Sequence, residues 1–261
     1  MKTKRETIWI TGASSGLGRE LALAAARRGA HVVLLARNEK RLNEVKAEVE
    51  ALGGSADAFP LDVSDLSTTE TRIPHIMKEV GGIDVLINNA GFGKFAELTD
   101  TPVETIEEMF AVNVTGLMTF TKAVLPFMLE ANRGHIINIA SQAGKLATAK
   151  ASVYAATKHA VLGFTNAMRL ELSETNIKVS AVNPGPIKTP FFTRADEHGS
   201  YLAKIDKWIL KPEEVAKATL QLLDKPKRER NLPGWMNWGA VAYQLMPGFI
   251  EKIAGKQFRQ K

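Results

Sequence analysis

The chain has 261 residues, of which 45% are hydrophobic and 24% charged, with a formal net charge of +6 and a pI near 9.4. That composition is ordinary for a globular protein with one substantial core, and it predicts a single domain over residues 1–261. The absence of cysteine excludes disulfides, thiolate metal sites and cysteine nucleophiles, and is compatible with a reducing cytoplasm.

The basic excess raises nucleic acid as a partner, but the cations are scattered. The densest run, Lys225 to Arg230, comes without zinc-finger spacing, an aromatic RNA-binding motif or a long basic helix. It reads as a solvated face, and no nucleic acid is expected. Residues Met1 to Arg5 are basic, yet the apolar stretch behind them, Ile8-Trp9-Ile10, is too short for a signal-peptide core, which predicts a cytoplasmic protein. The five histidines, at 31, 75, 135, 159 and 198, lack zinc-ligand spacing, so no metal is expected.

In chain order, Thr7 to Thr11 reads as a short buried strand that runs through Gly12-Ala-Ser14-Ser15-Gly16-Leu17-Gly18 into a helix ending near Arg28. Glycines at 12, 16 and 18 let the backbone turn tightly and approach a ligand, and the amides opening the helix point at a pyrophosphate. This GxxxGxG spacing differs from both the GxGxxG fingerprint and the P-loop, so its weight comes from standing between a strand and a helix. His31 to Ala36 is a second strand. Its C-terminal end lies beside an adenosine ribose in a nucleotide-binding βαβ unit, and an arginine there, Arg37, suits a 2′-phosphate where an acid would suit a free hydroxyl.

Helix, strand and helix follow at 38–52, 55–61 and 66–80, the last with Pro74 as an expected kink and the strand ending at Asp62-Val63. A fourth strand begins at Ile83 and ends in Asn88-Asn89-Ala90-Gly91, where small residues leave room for a cofactor and amides fix the loop. Pro102 to about Ala131 reads as one long helix with Asn113 in its middle, a polar group that needs partners if buried.

The fifth strand, Gly134 to Ala140, delivers Ser141. Tyr154 and Lys158 follow on a helix, four residues apart, so both leave the same face. A phenol has a reference pKa of about 10. A fixed ammonium, a cofactor charge and the Ser141 hydroxyl together lower it by roughly two or three units, enough for a general acid near neutral pH. Ile177 to Val182 is a sixth strand leading to Asn183-Pro184-Gly185. Strand-helix alternation over this length predicts an α/β doubly wound parallel sheet, Rossmann-like, with its ligand at the C-terminal strand ends.

From about residue 6 to 190 the chain resembles the short-chain dehydrogenase/reductase family. Thr11 to Gly18, Asn88 to Gly91, Asn113, Ser141, Tyr154, Lys158 and Pro184-Gly185 stand in the family's order and at compatible spacings. The resemblance implies an NADP(H)-dependent oxidoreductase that reduces a ketone or aldehyde, or oxidises the matching alcohol. It implies Tyr154 as the acid, Ser141 bonded to the substrate oxygen, and Lys158 on the nicotinamide ribose and lowering the tyrosine pKa. Asn113 would position a water for proton supply. Asp62 and Val63 resemble adenine contacts; Asn89, with Ala90 and Gly91, a cofactor loop; Ile187 and Thr189 contacts to the nicotinamide amide. A homodimer or homotetramer built on the helices at about 102–131 and 152–174 is also implied. The alternative is a catalytically silent NADP-binding sensor or scaffold of the same fold, which the intact set Asn113, Ser141, Tyr154 and Lys158 disfavours. An epimerase or dehydratase would carry a TGxxGxxG loop and a longer substrate domain, absent here.

Residues 190–261 are expected to form a substrate loop and a small helical C-terminal lobe. Phe191, Phe192, Tyr201 and Leu202 suggest apolar walls. Asn231 to Ile250 carries no charge, but two prolines and three glycines argue against a membrane span. An aromatic cover over the pocket is the favoured reading, with a helix lying on an anionic membrane as the alternative.

Overall fold

The computed structural model describes residues 5–146, 148–196 and 208–258, the last five by backbone alone. Strands β1 (Thr7–Thr11), β2 (His31–Ala36), β3 (Ser55–Pro60), β4 (Val85–Asn88), β5 (Gly134–Ile139), β6 (Ile177–Pro184) and β7 (Glu229–Leu232) make one sheet in the order β3-β2-β1-β4-β5-β6-β7. Every neighbouring pair is parallel. Parallel strands are covered on both faces, so β1, β2 and β4 are apolar except at their ends, Thr7, Thr11, His31 and Asn88.

Side chains that alternate along each strand divide the core in two. Ile8, Ile10, Val32, Leu34, Val85, Ile87 and Ile137 pack under helices α1 (Gly16–Arg27) and α2 (Glu39–Ala51). Trp9, Val33, Leu35, Leu86 and Ile136 face α3 (Leu66–Val80), α5 (Leu117–Glu130) and α6 (Ser152–Glu171). Caps fix where helices begin: Asn38 accepts from the Arg41 amide and Asp65 from that of Thr68, both at 3.0 Å. Pro74, the expected kink, lies inside α3, which runs from Leu66 to Val80 as one helix.

The expected long helix divides into α4 (Val103–Phe110), a wider π-helical turn (Ala111–Gly116) and α5. Among the described residues this stretch is the one long and apolar enough to cross a membrane. Its α5 half is nonetheless packed on the sheet through Phe120, Val124 and Met128.

The region beyond 190 is helical as expected, and it also adds a helix to the core and a strand to the sheet. Helix α7 (Phe191–Ala195) is followed, past the undescribed residues, by α8 (Pro212–Asp224), which buries Val215, Ala216, Leu220 and Leu222 in the core beside α1. Strand β7 then takes Glu229 and Arg230 out of the run read as a solvated face, leaving Lys225 to Arg228 exposed. Helices α9 (Met236–Leu245) and α10 (Pro247–Phe258) complete the described chain. Tyr201, Leu202 and His198 lie outside the described residues.

Two polar chains thread the core. Asn88 Nδ2 donates to Thr121 Oγ1 and to Asn138 Oδ1, each at 2.9 Å, and Asn138 Nδ2 donates to Thr165 Oγ1 at 2.8 Å, tying β4 and β5 to α5 and α6. Ser180 Oγ donates to the Lys227 carbonyl at 2.6 Å and so accepts from His135 Nε2 at 2.8 Å, which selects the Nε2–H tautomer of a buried histidine. Burial first, and Lys178 second, push the His135 pKa down from 6.5 to about 4. The unfolded chain therefore binds the proton more tightly, and stability falls as pH drops through that window. Relative to His135→Gln, which keeps a donor without a titrating ring, the parent is expected to lose up to about 3 kcal/mol between pH 6.5 and 4 in urea melts.

Candidate active site

The order of the strands reverses at β1, with β2 and β3 on one side and β4 to β7 on the other, which opens a crevice at the C-terminal ends of β1 and β4. Thr11 and Asn89 lock that junction. Thr11 Oγ1 accepts from the Asn89 and Ala90 amides at 3.0 and 3.1 Å, and Asn89 Nδ2 donates to the Thr11 and Gly12 carbonyls at 3.0 and 3.2 Å. Gly12 has φ +67°, and a Cβ there would stand 2.8 Å from Ala90 Cα. At Gly18 a Cβ would come within 2.1 Å of the Gly12 oxygen, so α1 sits this close to β1 only as glycine.

The crevice is a cavity of ≈ 630 Å³, within the range of roughly 300–1,000 Å³ usual for small-molecule sites. The glycine turn contributes Gly12, Ser14, Ser15, Gly16, Leu17 and Gly18; the end of β2, Arg37; the end of β3, Asp62 and Val63. Asn89, Ala90 and Gly91 come from the end of β4, and Pro184, Gly185, Ile187 and Thr189 from the end of β6. Ser141, Tyr154 and Lys158 line it as well.

Asn113 is the predicted site residue outside the lining. Its side chain is buried, with Oδ1 accepting from the Phe92 amide at 2.9 Å and Nδ2 donating to the Phe92 carbonyl at 2.8 Å and Thr157 Oγ1 at 3.2 Å. The π-helical turn that carries it thus clamps the segment after β4 against α6.

Lys158 is 5% exposed, and its Nζ donates to the Ile139 carbonyl at 2.9 Å while lying 5.8 Å from the centre of the Tyr154 ring. Burial lowers its pKa from 10.5 to about 8. Thr157 Oγ1 donates to the Tyr154 carbonyl at 2.7 Å, anchoring the first turn of α6. Ser141 Oγ accepts from the Ala143 amide at 3.0 Å, and its own contact to the Pro184 carbonyl is long, 3.5 Å, which leaves the hydroxyl proton weakly engaged.

The aromatic wall is broader than the sequence indicated. Phe191 and Phe192 line the cavity as expected, joined by Phe92, Phe95, Leu146 and Met236. Ring centres of Phe191 and Phe95 stand 5.6 and 6.0 Å from that of Tyr154, and the Arg194 guanidinium lies 3.7 Å over Phe92 while pairing with Glu108. Met236 is the one contribution to the lining from the described residues beyond 194, and Trp235 and Trp238 stand outside that lining. Thr11 and Thr157 were within reach of sequence reading as polar residues flanking the motifs; Phe92 and Phe95 gave no periodic signal.

The site fits a nicotinamide dinucleotide. Helix α1 opens toward the cavity with no side-chain cap and no acid in its first turn, leaving its amides for an anion. Arg37 and Arg41 line the cavity from the end of β2 and the start of α2, and Tyr154 and Lys158 from α6.

Comparison with known proteins agrees with this geometry. The short chain dehydrogenase family model matches residues 6–199. A putative ketoacyl reductase of Streptomyces coelicolor is 39% identical, over 80% of this chain and 79% of that protein. Dehydrogenase/reductase SDR family member 7B of Mus musculus is 34% identical, over 99% and 83%. The structure of a short-chain dehydrogenase from Sphingobium yanoikuyae in complex with NADPH superposes with a TM-score of 0.80 at 31% identity, over 93% of this chain and 96% of that one. With its parallel sheet, its glycine turn and a family match over most of its length, the chain belongs to the short-chain dehydrogenase/reductase family of oxidoreductases.

Proposed function

We propose that the protein is an NADPH-dependent reductase of a moderately hydrophobic ketone or aldehyde, with Tyr154 as general acid. The observation that carries this reading is the placement of Tyr154, Lys158 and Ser141 on one cavity beneath an aromatic wall. The ketoacyl reductase relative and the NADPH complex of a structural neighbour support it.

When bound, the reduced nicotinamide supplies a hydride to the carbonyl carbon. The protein's part is to hold the carbonyl and deliver a proton. Ser141 turns its weakly engaged hydroxyl onto the carbonyl oxygen, and Tyr154 donates its phenolic proton to that oxygen, leaving an alcohol and a phenolate. Lys158 stabilises the phenolate, since a buried ammonium acts at low dielectric and is screened little by solvent. It spends one of its three protons on Ile139 and keeps two for the cavity. Asn113 and Thr157 hold the first turn of α6 in register with the segment after β4. Phe92, Phe95 and Phe191 exclude water and favour apolar substituents. Exposed Val103, Leu129 and Leu170 on α4, α5 and α6 support pairing of those helices across a twofold axis.

Tyr154→Phe is expected to lower NADPH-dependent reduction of a carbonyl panel by about 10²–10⁴-fold, with NADPH binding retained by fluorescence titration. A variant that turns over normally excludes the mechanism.

Cofactor choice rests on Arg37, whose side chain is 63% exposed and reaches Asp62 only at 3.8 Å, so it remains available to a 2′-phosphate. Arg37→Asp is expected to shift the NADPH to NADH ratio of kcat/KM by about ten- to hundredfold toward NADH; an unchanged ratio places the phosphate contact elsewhere.

The buried Lys158 also makes a prediction about the free protein. A lysine whose pKa falls from 10.5 to about 8 on folding binds its proton more tightly when unfolded, so its contribution to stability rises with pH across that window. Measured against Lys158→Met, the parent should gain up to about 3 kcal/mol between pH 8 and 10.5 in denaturant melts. Lys158→Met should also lose turnover.

A further inference from the structure

The C-terminal helices present a surface that the reduction chemistry leaves unused. Helix α9 turns Met236, Asn237 and Ala240 toward the body of the protein, where Ala240 is its one buried residue and Asn237 Oδ1 accepts from Lys145 Nζ at 3.0 Å. Its outer face carries Trp238, 78% exposed, then Val241 and Leu245, the last 76% exposed. Spacings of three and four residues put these on a single stripe. Met246 joins it to Phe249 and Ile253 on α10, four residues apart and also exposed. A stripe of this kind on a solvated helix marks an interaction surface.

Charge identifies the occupant. Residues 231–261 contain four Lys and Arg against one Glu, a net charge of +3; Lys225 to Arg230 stand ahead of and in β7, where Arg228 donates to Asn166 and Arg230 to Gln221. The uncharged run Asn231 to Ile250 is followed by Lys252, Lys256, Arg259 and Lys261. The acid among them, Glu251, accepts from the Tyr243 hydroxyl at 3.0 Å. A second copy docking on this face through a twofold axis would set the same cations against themselves. An anionic surface complements them, and tryptophan beside an apolar stripe suits the headgroup boundary. Helices of 10 and 12 residues reach about 15 and 18 Å, short of the roughly 30 Å of hydrocarbon, so they lie on a bilayer and do not cross it.

We propose that α9 and the first turns of α10 form an interfacial docking surface for anionic membranes, with Trp238, Leu245 and Phe249 entering the headgroup boundary and Lys252 meeting lipid phosphates. The test is co-sedimentation of the full chain with vesicles of equal parts phosphatidylcholine and phosphatidylserine, and with phosphatidylcholine alone. The parent should partition about fivefold or more in favour of the mixed vesicles, and less as salt is raised. Trp238→Glu combined with Leu245→Glu should leave the protein in the supernatant with an unchanged circular dichroism spectrum and thermal midpoint, because neither side chain is buried. A parent that stays in solution with both vesicles overturns the proposal, as does a double variant that sediments like the parent. Light scattering that shows the double variant dissociating an oligomer, with no vesicle binding by the parent, overturns it in favour of a second copy.

Discussion

The site depends on how closely β1, β4 and α1 meet. Because Gly18 has no Cβ to strike the Gly12 oxygen, α1 can start directly at the end of β1 and direct its first amides into the crevice. Thr11 and Asn89 then use four hydrogen bonds to fix the glycine turn to the end of β4. Each is part-buried at the centre of the sheet, where a bond lost costs some desolvation of its partner as well. The strands on either side fan out from this junction, so their C-terminal ends surround one cavity. The glycine-turn end and the Tyr154 end of the cavity are therefore parts of the same packing problem.

The end of the cavity around Tyr154 and Lys158 is held by interactions that do little for the fold. A lysine buried to this extent carries a desolvation penalty, expressed in its lowered pKa, that a single hydrogen bond to the Ile139 carbonyl offsets in part. The π-helical turn at Ala111–Gly116 is a second concession. It sacrifices regular helix geometry to bring Asn113 against both backbone groups of Phe92 and against Thr157. Local rules are broken where the neighbouring structure needs a polar group at a fixed point, and both departures surround Tyr154.

This pattern explains how much could be read from the chain. Strands β1, β2, β4, β5 and β6 announce themselves through β-branched and aliphatic residues, β3 only through alternation, and the turns after β1, β4 and β6 through glycine and asparagine. Strand β7 does not, since Glu229, Arg230 and Asn231 carry no apolar period. Glu229 and Asn231 belong to the sheet because β6 and its surroundings satisfy them: Asn183 Nδ2 donates to Asn231 Oδ1 at 2.9 Å, and Lys145 pairs with Glu229. Helix α8 was a similar case, its amphipathic pattern plain but its partner, α1, nearly two hundred residues earlier. Positions of the motif residues followed from order and spacing, whereas Phe92, Phe95 and Arg194 meet around Tyr154 only through tertiary packing.

The two halves of the cavity are also built by different means. Its dinucleotide half hangs from β1, β2 and β4, strands whose side chains fill both apolar cores. The half around Tyr154 takes Phe191, Arg194 and Met236 from short helices, which bury Phe192, Ala195 and Ala240 and are otherwise held by polar contacts, Arg194 to Glu108 and Lys145 to Asn237. Such contacts tolerate rearrangement better than a close-packed core does, because a hydrogen bond can be exchanged for one to water while a filled volume cannot be emptied cheaply. Residues Gln142 and Lys145, in the turn just after Ser141, belong to this polar set, Gln142 Nε2 donating to the Asn183 carbonyl at 2.9 Å. Substitutions in α7 and α9 can thus reshape the end of the cavity around Tyr154 while the strand ends keep the glycine-turn end constant, and through Lys145 a shift of α9 reaches the turn that follows Ser141.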